Sequence, residues 1–246
     1  NWLFGNNPLK QNLGAYGQSD EWLNSDAQSL LDLSDQVFVI SVEDDQTNQL
    51  ASRFRESGLH YIALDSSQSQ GFKDVLLGLE ENRPKYGWDA IHVLSHGKPG
   101  EFGIGKSTVN HNTVEDFTNE FKGLGELVSS DGSIYLYGCN VANNTVNKRL
   151  IDLIAKLTSA DVSASVNETF SNLETGQSDW ILEYSSKNKK NYSNVFDTLD
   201  WNGSLDGNKV DFNKSILAIN DANQIIEITG DLPNTSENTG EVTVTF

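Results

Sequence analysis

Between Val37 and Tyr184, short apolar runs alternate with segments in which apolar residues recur at helical spacing. Several of the runs are apolar at almost every position, as in parallel strands that are buried on both faces. They predict six strands, at Val37–Val42, His60–Leu64, Asp89–Gly97, Ser133–Cys139, Asp161–Val166 and Trp180–Tyr184. The segments with helical periodicity predict four helices, near Gln46–Ser57, Phe72–Leu79, Thr113–Val128 and Asn143–Leu157.

Strands that alternate with helices of this length form a mostly parallel sheet with helices on both faces. The sequence therefore predicts an α/β domain at 37–184 with a mostly parallel six-stranded sheet. Residues 1–36 are rich in Asn, Gly and Gln and lack a sustained period, which predicts an N-terminal arm that packs on this domain. Lysines mark 185–199 as an exposed linker, and short strand-like runs between turn residues predict a small C-terminal β appendage at 200–246.

The charge balance excludes two classes of partner. The chain has 17 Lys and Arg against 35 Asp and Glu, a net charge of −18. A protein of this sign does not bind nucleic acid by releasing counterions from phosphates, and it does not bind anionic lipid through a polybasic patch. No run of about 18 apolar residues and no signal-peptide pattern is visible, so no transmembrane segment is predicted. The abundance of Asn and Ser is typical of secreted and cell-surface bacterial proteins.

Two chemically distinctive residues follow neighbouring strands of the predicted sheet. The third strand ends in Ser95-His96-Gly97, and the fourth ends in Gly138-Cys139-Asn140. The chain between them fits one crossover helix with its loops, so His96 and Cys139 are expected at one edge of the sheet, where parallel sheets place their chemistry. A neighbouring histidine lowers the pKa of a thiol and activates it as a nucleophile. The pair predicts acyl transfer through a Cys139 thioester, with His96 as general base and acid.

The glycines and acidic residues beside this pair extend the predicted site. Because Gly97 and Gly138 lack Cβ atoms, the backbone can approach a substrate carbonyl, and the amides of Gly97 and Cys139 are the predicted donors of an oxyanion hole. Glu43 and Asp44 end the first strand at the same edge. They are interpreted either as part of a substrate pocket that favours a basic side chain or as a cap of the following helix.

Four stretches of the predicted domain resemble, in order and spacing, an uncharacterised bacterial caspase-like domain found near the N-termini of large adhesin-type surface proteins. They are IHVLSHGKPGEFGIG, IYLYGCNVA, LTSADVSAS and DWILE. A strand ending in His-Gly, followed by an apolar strand ending in Gly-Cys, is shared by the caspase, gingipain, clostripain, legumain and separase groups of cysteine peptidases. The resemblance implies a caspase-like three-layer sandwich and a dyad of His96 and Cys139. It also implies that Ser163, Ser165 and Asn167 line the pocket for the residue before the scissile bond.

The function that the resemblance implies is that of a cysteine endopeptidase at the cell surface or outside the cell. Its expected substrate is a polypeptide, including its own parent chain, so that it processes itself or trims a large adhesin precursor. One form of this hypothesis places the cut in the lysine-rich linker, between Tyr184 and Trp201. The alternatives are a catalytically inactive binding or retention module of an adhesin, and a structural spacer in which Cys139 is an ordinary buried side chain.

Two further patterns bear on metals and cofactors. His92 could join His111 and Cys139 around zinc, but no pair has structural-zinc spacing, so no metal site is predicted and His92 is expected inside the sheet layer. Oxygen side chains alternate through Asp200–Asn208 in the rhythm of a calcium loop, although Leu205 stands where an EF-hand loop has glycine. No cofactor is therefore predicted, with calcium at this turn as the alternative.

Overall fold

The computed structural model of the protein describes residues 3–4, 35–65, 71–187, 196, 199–207, 216–219 and 225–228. Numbered in chain order, the helices are α1 (Asp45–Ser57), α2 (Phe72–Glu81), α3 (Thr118–Leu127) and α4 (Thr145–Thr158). The strands are β1 (Leu3–Phe4), β2 (Gln36–Val42), β3 (Tyr61–Asp65), β4 (Trp88–Leu94), β5 (Gly97–Lys98), β6 (Glu101–Ile104), β7 (Ser107–Asn110), β8 (Val128–Tyr137), β9 (Asp161–Ala164), β10 (Phe170–Asn172), β11 (Gln177–Asp179), β12 (Tyr184–Ser185), β13 (Gly203–Ser204), β14 (Ile216–Ile219) and β15 (Ile225–Ile228). A short 3₁₀ helix, Val114–Phe117, leads into α3.

The central sheet is mostly parallel, as the continuous apolar runs predict. Its strand order is β1-β3-β2-β4-β8-β9-β12. The strands from β3 to β9 in this order are parallel, and β1 and β12 pair antiparallel at the two edges. Each predicted strand has a counterpart in the sheet, and Leu3–Phe4 of the predicted arm adds one more. The last counterpart, β12, is shorter than predicted, since its pairing with β9 begins only at Tyr184. Trp180 and Leu182, which precede it, are buried without belonging to this strand.

Alternate residues of each strand face opposite layers. In β2, Val37 and Val39 belong to the same buried cluster as apolar side chains of α2, α3 and α4, whereas Phe38 and Ile40 belong to the cluster of α1. The layer of α1 is completed by buried side chains from the last part of the domain, namely Trp180, Leu182, Phe196, Leu199, Trp201 and Leu205. The protein is a three-layer α/β sandwich, consistent with the caspase-like arrangement that the resemblance implies.

Helix α1 begins directly after the acidic end of β2. The Asp44 carboxylate accepts a 2.9 Å hydrogen bond from the Thr47 amide, and the Thr47 hydroxyl accepts one of 3.0 Å from the Asp44 amide. This reciprocal capping box satisfies amides that the first helical turn leaves without partners. The helix ends at Gly58, whose φ of 73° lies in the left-handed region that glycine adopts readily. Asp44 is therefore a helix cap, as one of its two sequence interpretations predicts.

Two small antiparallel sheets lie beside the main one. The first, β5-β6-β7, starts at Gly97 immediately after β4, and the sequence does not predict it. The second, β11-β10-β13, pairs Gly203 with Ser171 and Ser204 with Phe170. A further isolated bridge joins Asp206 to Gly97. These contacts bring residues 203–206 to the carboxyl end of β4, the edge at which the chemistry is predicted.

The chain divides into two compact units, residues 1–207 and residues 208–246. The boundary lies later than the predicted start of the β appendage at residue 200, because Trp201 and Leu205 are buried in the core of the first unit. In the second unit, β14 and β15 pair antiparallel. Most of the predicted linker and the run Val242–Phe246 lie outside the described residues. None of the helices in the described ranges combines the length and apolar character needed to cross a membrane.

Candidate active site

His96 and Cys139 directly follow two adjacent parallel strands. β4 and β8 are paired up to their last residues, and the Ser95 amide extends this ladder with a 3.2 Å hydrogen bond to the Tyr137 carbonyl. The two chains stay close beyond this point, since a Cβ on Gly97 would lie 2.7 Å from the Cys139 amide nitrogen. Only glycine fits such an approach. The structure thus brings the two predicted residues to one edge of the sheet.

Two backbone amides at this edge converge on a single carbonyl oxygen. The amides of Gly97 and Cys139 donate hydrogen bonds of 2.9 and 3.2 Å to the carbonyl of Leu205. Paired amides aimed at one oxygen stabilise the negative charge that develops there when a carbonyl is attacked. They are the two amides that the sequence predicts as an oxyanion hole.

The imidazole of His96 is held by Asp44. Nε2 of the ring lies 2.8 Å from Oδ2 of the carboxylate, while Oδ1 accepts from the Thr47 amide. Burial favours the neutral acid, but hydrogen bonds from Thr47 and the nearby imidazole outweigh it and lower the pKa of Asp44. The carboxylate is therefore ionised at neutral pH. The side chain binds the histidine and does not border the cleft described below, and its assignment to a substrate pocket stays a prediction.

The second ring nitrogen of His96 is left as the proton acceptor. With Nε2–H directed at the carboxylate of Asp44, the neutral ring carries its lone pair on Nδ1. Nδ1 is buried and has no hydrogen-bond partner within the part of the chain that the structure describes. Buried polar atoms are usually hydrogen-bonded, so Nδ1 has the capacity to bind a further partner. This arrangement suits a general base whose partner is bound only during a reaction.

The thiol of Cys139 is closed off from solvent. Its side chain is 0% exposed, its sulfur accepts a 3.1 Å hydrogen bond from the Thr169 amide, and Ser204 Oγ lies 3.7 Å away. Burial raises the pKa of this thiol, and the charges of Asp206 and Glu168 add to the effect. The expected lowering of the thiol pKa by its surroundings is therefore wrong for the site as it stands, since the covered sulfur favours the neutral form.

Glu43 lines an open cleft beside the histidine, in agreement with its predicted place at the rim. The cleft has a volume of about 400 Å³ and is bordered by His96, Gly97, Phe102 and Gly207, among others. Burial of the Glu43 carboxylate and its neighbour Asp44 raise the Glu43 pKa, although His96 opposes them. The cleft also carries Lys98 and Lys106, so its wall has charges of both signs.

The other predicted pocket residues have different places. Ser163 is fully buried within β9 and does not border the cleft, and its assignment as a pocket residue stays a prediction. The carbonyls of Ser165 and Asn167 accept hydrogen bonds of 2.8 and 2.7 Å from the amides of Ala142 and Asn140. Ser165 and Asn167 therefore stabilise the turn that follows Cys139 through their backbone carbonyls.

Two residues that contact the candidate nucleophile or the paired amides are not predicted from the sequence. Thr169 supplies an amide to the Cys139 sulfur, and Leu205 supplies the carbonyl between the two amides. Trp201 anchors the same segment by donating its indole N–H to the Gln46 carbonyl at 3.0 Å. No periodicity marks these positions. For Trp201 and Leu205 the sequence shows an isolated Trp and Leu in the polar stretch DWNGSLDGN.

The residues considered for metals do not come together. Among the described residues, no group of three or more His, Cys, Asp or Glu is placed to hold a metal ion. His92 is 2% exposed and stacks on Phe38 with ring centroids 4.3 Å apart, inside the sheet layer as expected. In the described part of the stretch considered for calcium, residues 200–207, Gly203 and Ser204 pair with β10 and Asp206 bridges to Gly97, and calcium at this turn stays a prediction.

A protein-family model matches residues 37–203 of the chain. The match extends past the predicted end of the α/β domain at residue 184 and reaches β13, in agreement with the burial of residues from this segment in the first unit. Neither curated proteins nor solved structures gave a match. With most of its length covered, the chain belongs to the family described as a domain of unknown function, DUF4347.

Proposed function

We propose that this protein is a cysteine endopeptidase of the caspase-like type, with Cys139 as nucleophile and His96 as general base and acid. The observation that carries the proposal is the convergence of the Gly97 and Cys139 amides on one carbonyl oxygen. The nucleophile, the base and the oxyanion donors then share one edge of the sheet, where parallel sheets place their chemistry. The carboxylate of Asp44 orients the base.

Each group has a step in the proposed reaction. Nδ1 of His96 takes the thiol proton while Asp44 stabilises the imidazolium that forms. The Cys139 sulfur bonds to the substrate carbonyl carbon, and the two amides hold the negative charge on the oxygen. The C–N bond breaks as the imidazolium protonates the leaving amine. Water then hydrolyses the thioester, which releases the acid product and restores the thiol.

The proposed biological role is self-processing or trimming of a large surface or adhesin precursor. The resemblance of the four sequence stretches to caspase-like domains of adhesin-type proteins supports this setting, and with it an extracellular or cell-surface location. A polypeptide substrate also accords with the pairing of β13 on β10, since extended peptides bind in this manner. The chemistry needs no cofactor, because the chain itself supplies the nucleophile, the base and the oxyanion donors.

The proposal is tested by incubating the purified full chain at neutral pH and measuring its intact mass over time. Wild type is expected to be cut at a peptide bond, whereas Cys139→Ala and His96→Ala stay whole. His111→Ala, which changes an exposed histidine outside the site, is the matched control and is expected to be cut like wild type. A wild-type chain that stays whole overturns the proposal and favours a binding or retention module. Cutting that persists in Cys139→Ala overturns it as well.

A further inference from the structure

The segment that supplies the Leu205 carbonyl lies in the site as a bound peptide would. Its residues Gly203 and Ser204 form β13, which pairs antiparallel with Ser171 and Phe170 of β10. The Leu205 amide continues this ladder with a 2.9 Å hydrogen bond to the carbonyl of Thr169. Enzymes and receptors often bind extended peptides by adding a strand in this way. The segment therefore occupies the place of residues on the N-terminal side of a scissile bond.

We propose that the Leu205–Asp206 peptide bond of this chain is the bond that the enzyme cleaves, and that leucine is the residue it selects before the scissile bond. The inference rests on the proposed function, whose nucleophile and oxyanion donors it uses. The carbonyl between the Gly97 and Cys139 amides belongs to Leu205, so the bond that follows this carbonyl is the one exposed to attack. The cut then falls outside the lysine-rich linker considered from the sequence.

The selection of leucine follows from the surroundings of its side chain. Leu205 is 0% exposed and belongs to the buried apolar cluster that includes Tyr137, Trp180 and Trp201. An apolar side chain gains by leaving water for this cluster, whereas a charged one would lose its hydration without a partner. Such a pocket separates apolar from charged side chains far better than it separates apolar side chains of similar size.

Beyond the bond, the chain passes directly beside the histidine. Asp206 bridges to Gly97, and the Gly207 amide donates a 3.1 Å hydrogen bond to the Gly97 carbonyl. A Cβ built on Gly207 would lie 3.4 Å from the His96 Cβ, so the two residues are in contact distance. Gly207 also borders the 400 Å³ cleft, which offers space to residues on this side. His96 is thus placed to protonate the amine of Asp206 as it leaves.

The reaction balances with water as the only added reactant. The Cys139 sulfur forms a bond to the Leu205 carbonyl carbon, and the C–N bond to Asp206 breaks. The amine of Asp206 takes its proton from His96. Water then adds to the thioester, giving a carboxylate on Leu205 and the free thiol. The products are residues 1–205 and a peptide that begins with Asp206.

The test maps the cut in the full-length protein. Wild type is incubated at neutral pH, and N-terminal sequencing is expected to find a fragment that begins with Asp206. Leu205→Asp is expected to slow this cut by at least about 100-fold, and Leu205→Met to keep its rate within about threefold. Leu173→Asp is the matched control with wild-type rate, because Leu173 is 50% exposed. If thermal unfolding measurements show that Leu205→Asp is not folded, Leu205→Asn is used in its place, with an expected slowing of the cut by about tenfold.

The outcomes separate this inference from the function on which it rests. A cut that depends on Cys139 but falls at another bond supports the proposed peptidase function and overturns the assignment of the Leu205–Asp206 bond. The assignment is also overturned if folded Leu205→Asp, or folded Leu205→Asn in its place, is cut after residue 205 at the wild-type rate. If wild type is not cut at all, both the peptidase and its cleavage site are rejected.

Discussion

The Asp44 carboxylate and the His96 imidazole are joined by a 2.8 Å hydrogen bond, although they follow different strands of the sheet. The same carboxylate caps α1, because its other oxygen accepts from the Thr47 amide. One side chain therefore fixes both the start of a helix and the orientation of the candidate base. Because the two tasks use different oxygens, they can be separated by substitution.

Asp44→Asn is expected to preserve the N-terminal cap of α1 and to abolish most of the self-cleavage. Asparagine caps helices as well as aspartate, so the free energy of unfolding should stay within about 0.5 kcal/mol of wild type. Its amide would present N–H donors to Nε2 of His96, which moves the ring proton to Nδ1 and removes the base. Self-cleavage should then fall by at least about 100-fold. Asp44→Ala should lose the cleavage and also about 1 kcal/mol of stability. Denaturant unfolding and cleavage rates measure both effects, and a wild-type rate in Asp44→Asn would contradict the orienting role.

His92 makes the fold sensitive to acid. Burial lowers the pKa of His92 to about 3, whereas an unfolded histidine titrates near about 6.5. As pH falls, the unfolded state binds the proton first, so stability is lost between these two values, by about 3 kcal/mol at about pH 4. His92→Phe should flatten this part of the pH profile of unfolding free energy. The exposed His111→Phe should leave it unchanged, and parallel profiles for His92→Phe and wild type would rule out a neutral buried His92.

Gly97→Ala tests how closely the two strand ends must approach. The added Cβ would lie 2.7 Å from the Cys139 amide nitrogen and from the Gly138 carbonyl carbon, so the strand ends must separate. We expect a loss of about 1–3 kcal/mol in unfolding free energy and no measurable self-cleavage, because the amides no longer converge. Gly123→Ala is the control, since its Cβ would meet only the flexible Leu76 side chain, at 3.4 Å. Normal cleavage by Gly97→Ala would show that the close approach is dispensable.

Asp206→Asn is expected to lower the pKa of the Cys139 thiol, because it removes one of the charges that oppose the thiolate. The measurement follows thiolate absorbance against pH in the His96→Ala background, where the chain should stay whole. The chain has one cysteine, so the signal belongs to Cys139 alone. Asp200→Asn, which removes a carboxylate that is 75% exposed, should leave the thiol pKa unchanged. Equal thiol pKa values in Asp206→Asn and its parent would contradict this electrostatic effect of Asp206 on the thiol.

The layers of the fold can be predicted from the sequence because the central strands are buried on both faces. Nearly every residue of β2 and β4 is buried, and continuous apolar runs identify such strands without tertiary information. The same runs define the strand ends, which is why His96 and Cys139 are found where they are expected. Short strands such as β6, Glu101–Ile104, are not predicted, because a few residues between glycine turns have no pattern that distinguishes them from a loop.

The rest of the site comes from segments that are distant in the sequence. Asp44 fits a cap or a pocket equally well, and its bond to His96 depends on where α1 begins relative to β4. Leu205 is a single apolar residue in a polar stretch, and its burial depends on β13 adding to β10. Ser163 is buried in β9, whose neighbour β12 pairs with it through only two residues. Local patterns contain none of this information.

β13 precedes the Leu205–Asp206 bond, so on the proposed mechanism it remains attached to the catalytic unit after the cut. The Ser204 amide is held by the Gln46 side chain at 3.0 Å, and Trp201 by the Gln46 carbonyl at 3.0 Å. The new carboxyl terminus would then stay between the amides that served the oxyanion and exclude a second peptide. Each molecule would cut once, within its own chain, with a first-order rate constant that does not depend on the protein concentration. Such a protein releases the polypeptide that begins at Asp206 in strict proportion to the number of copies made.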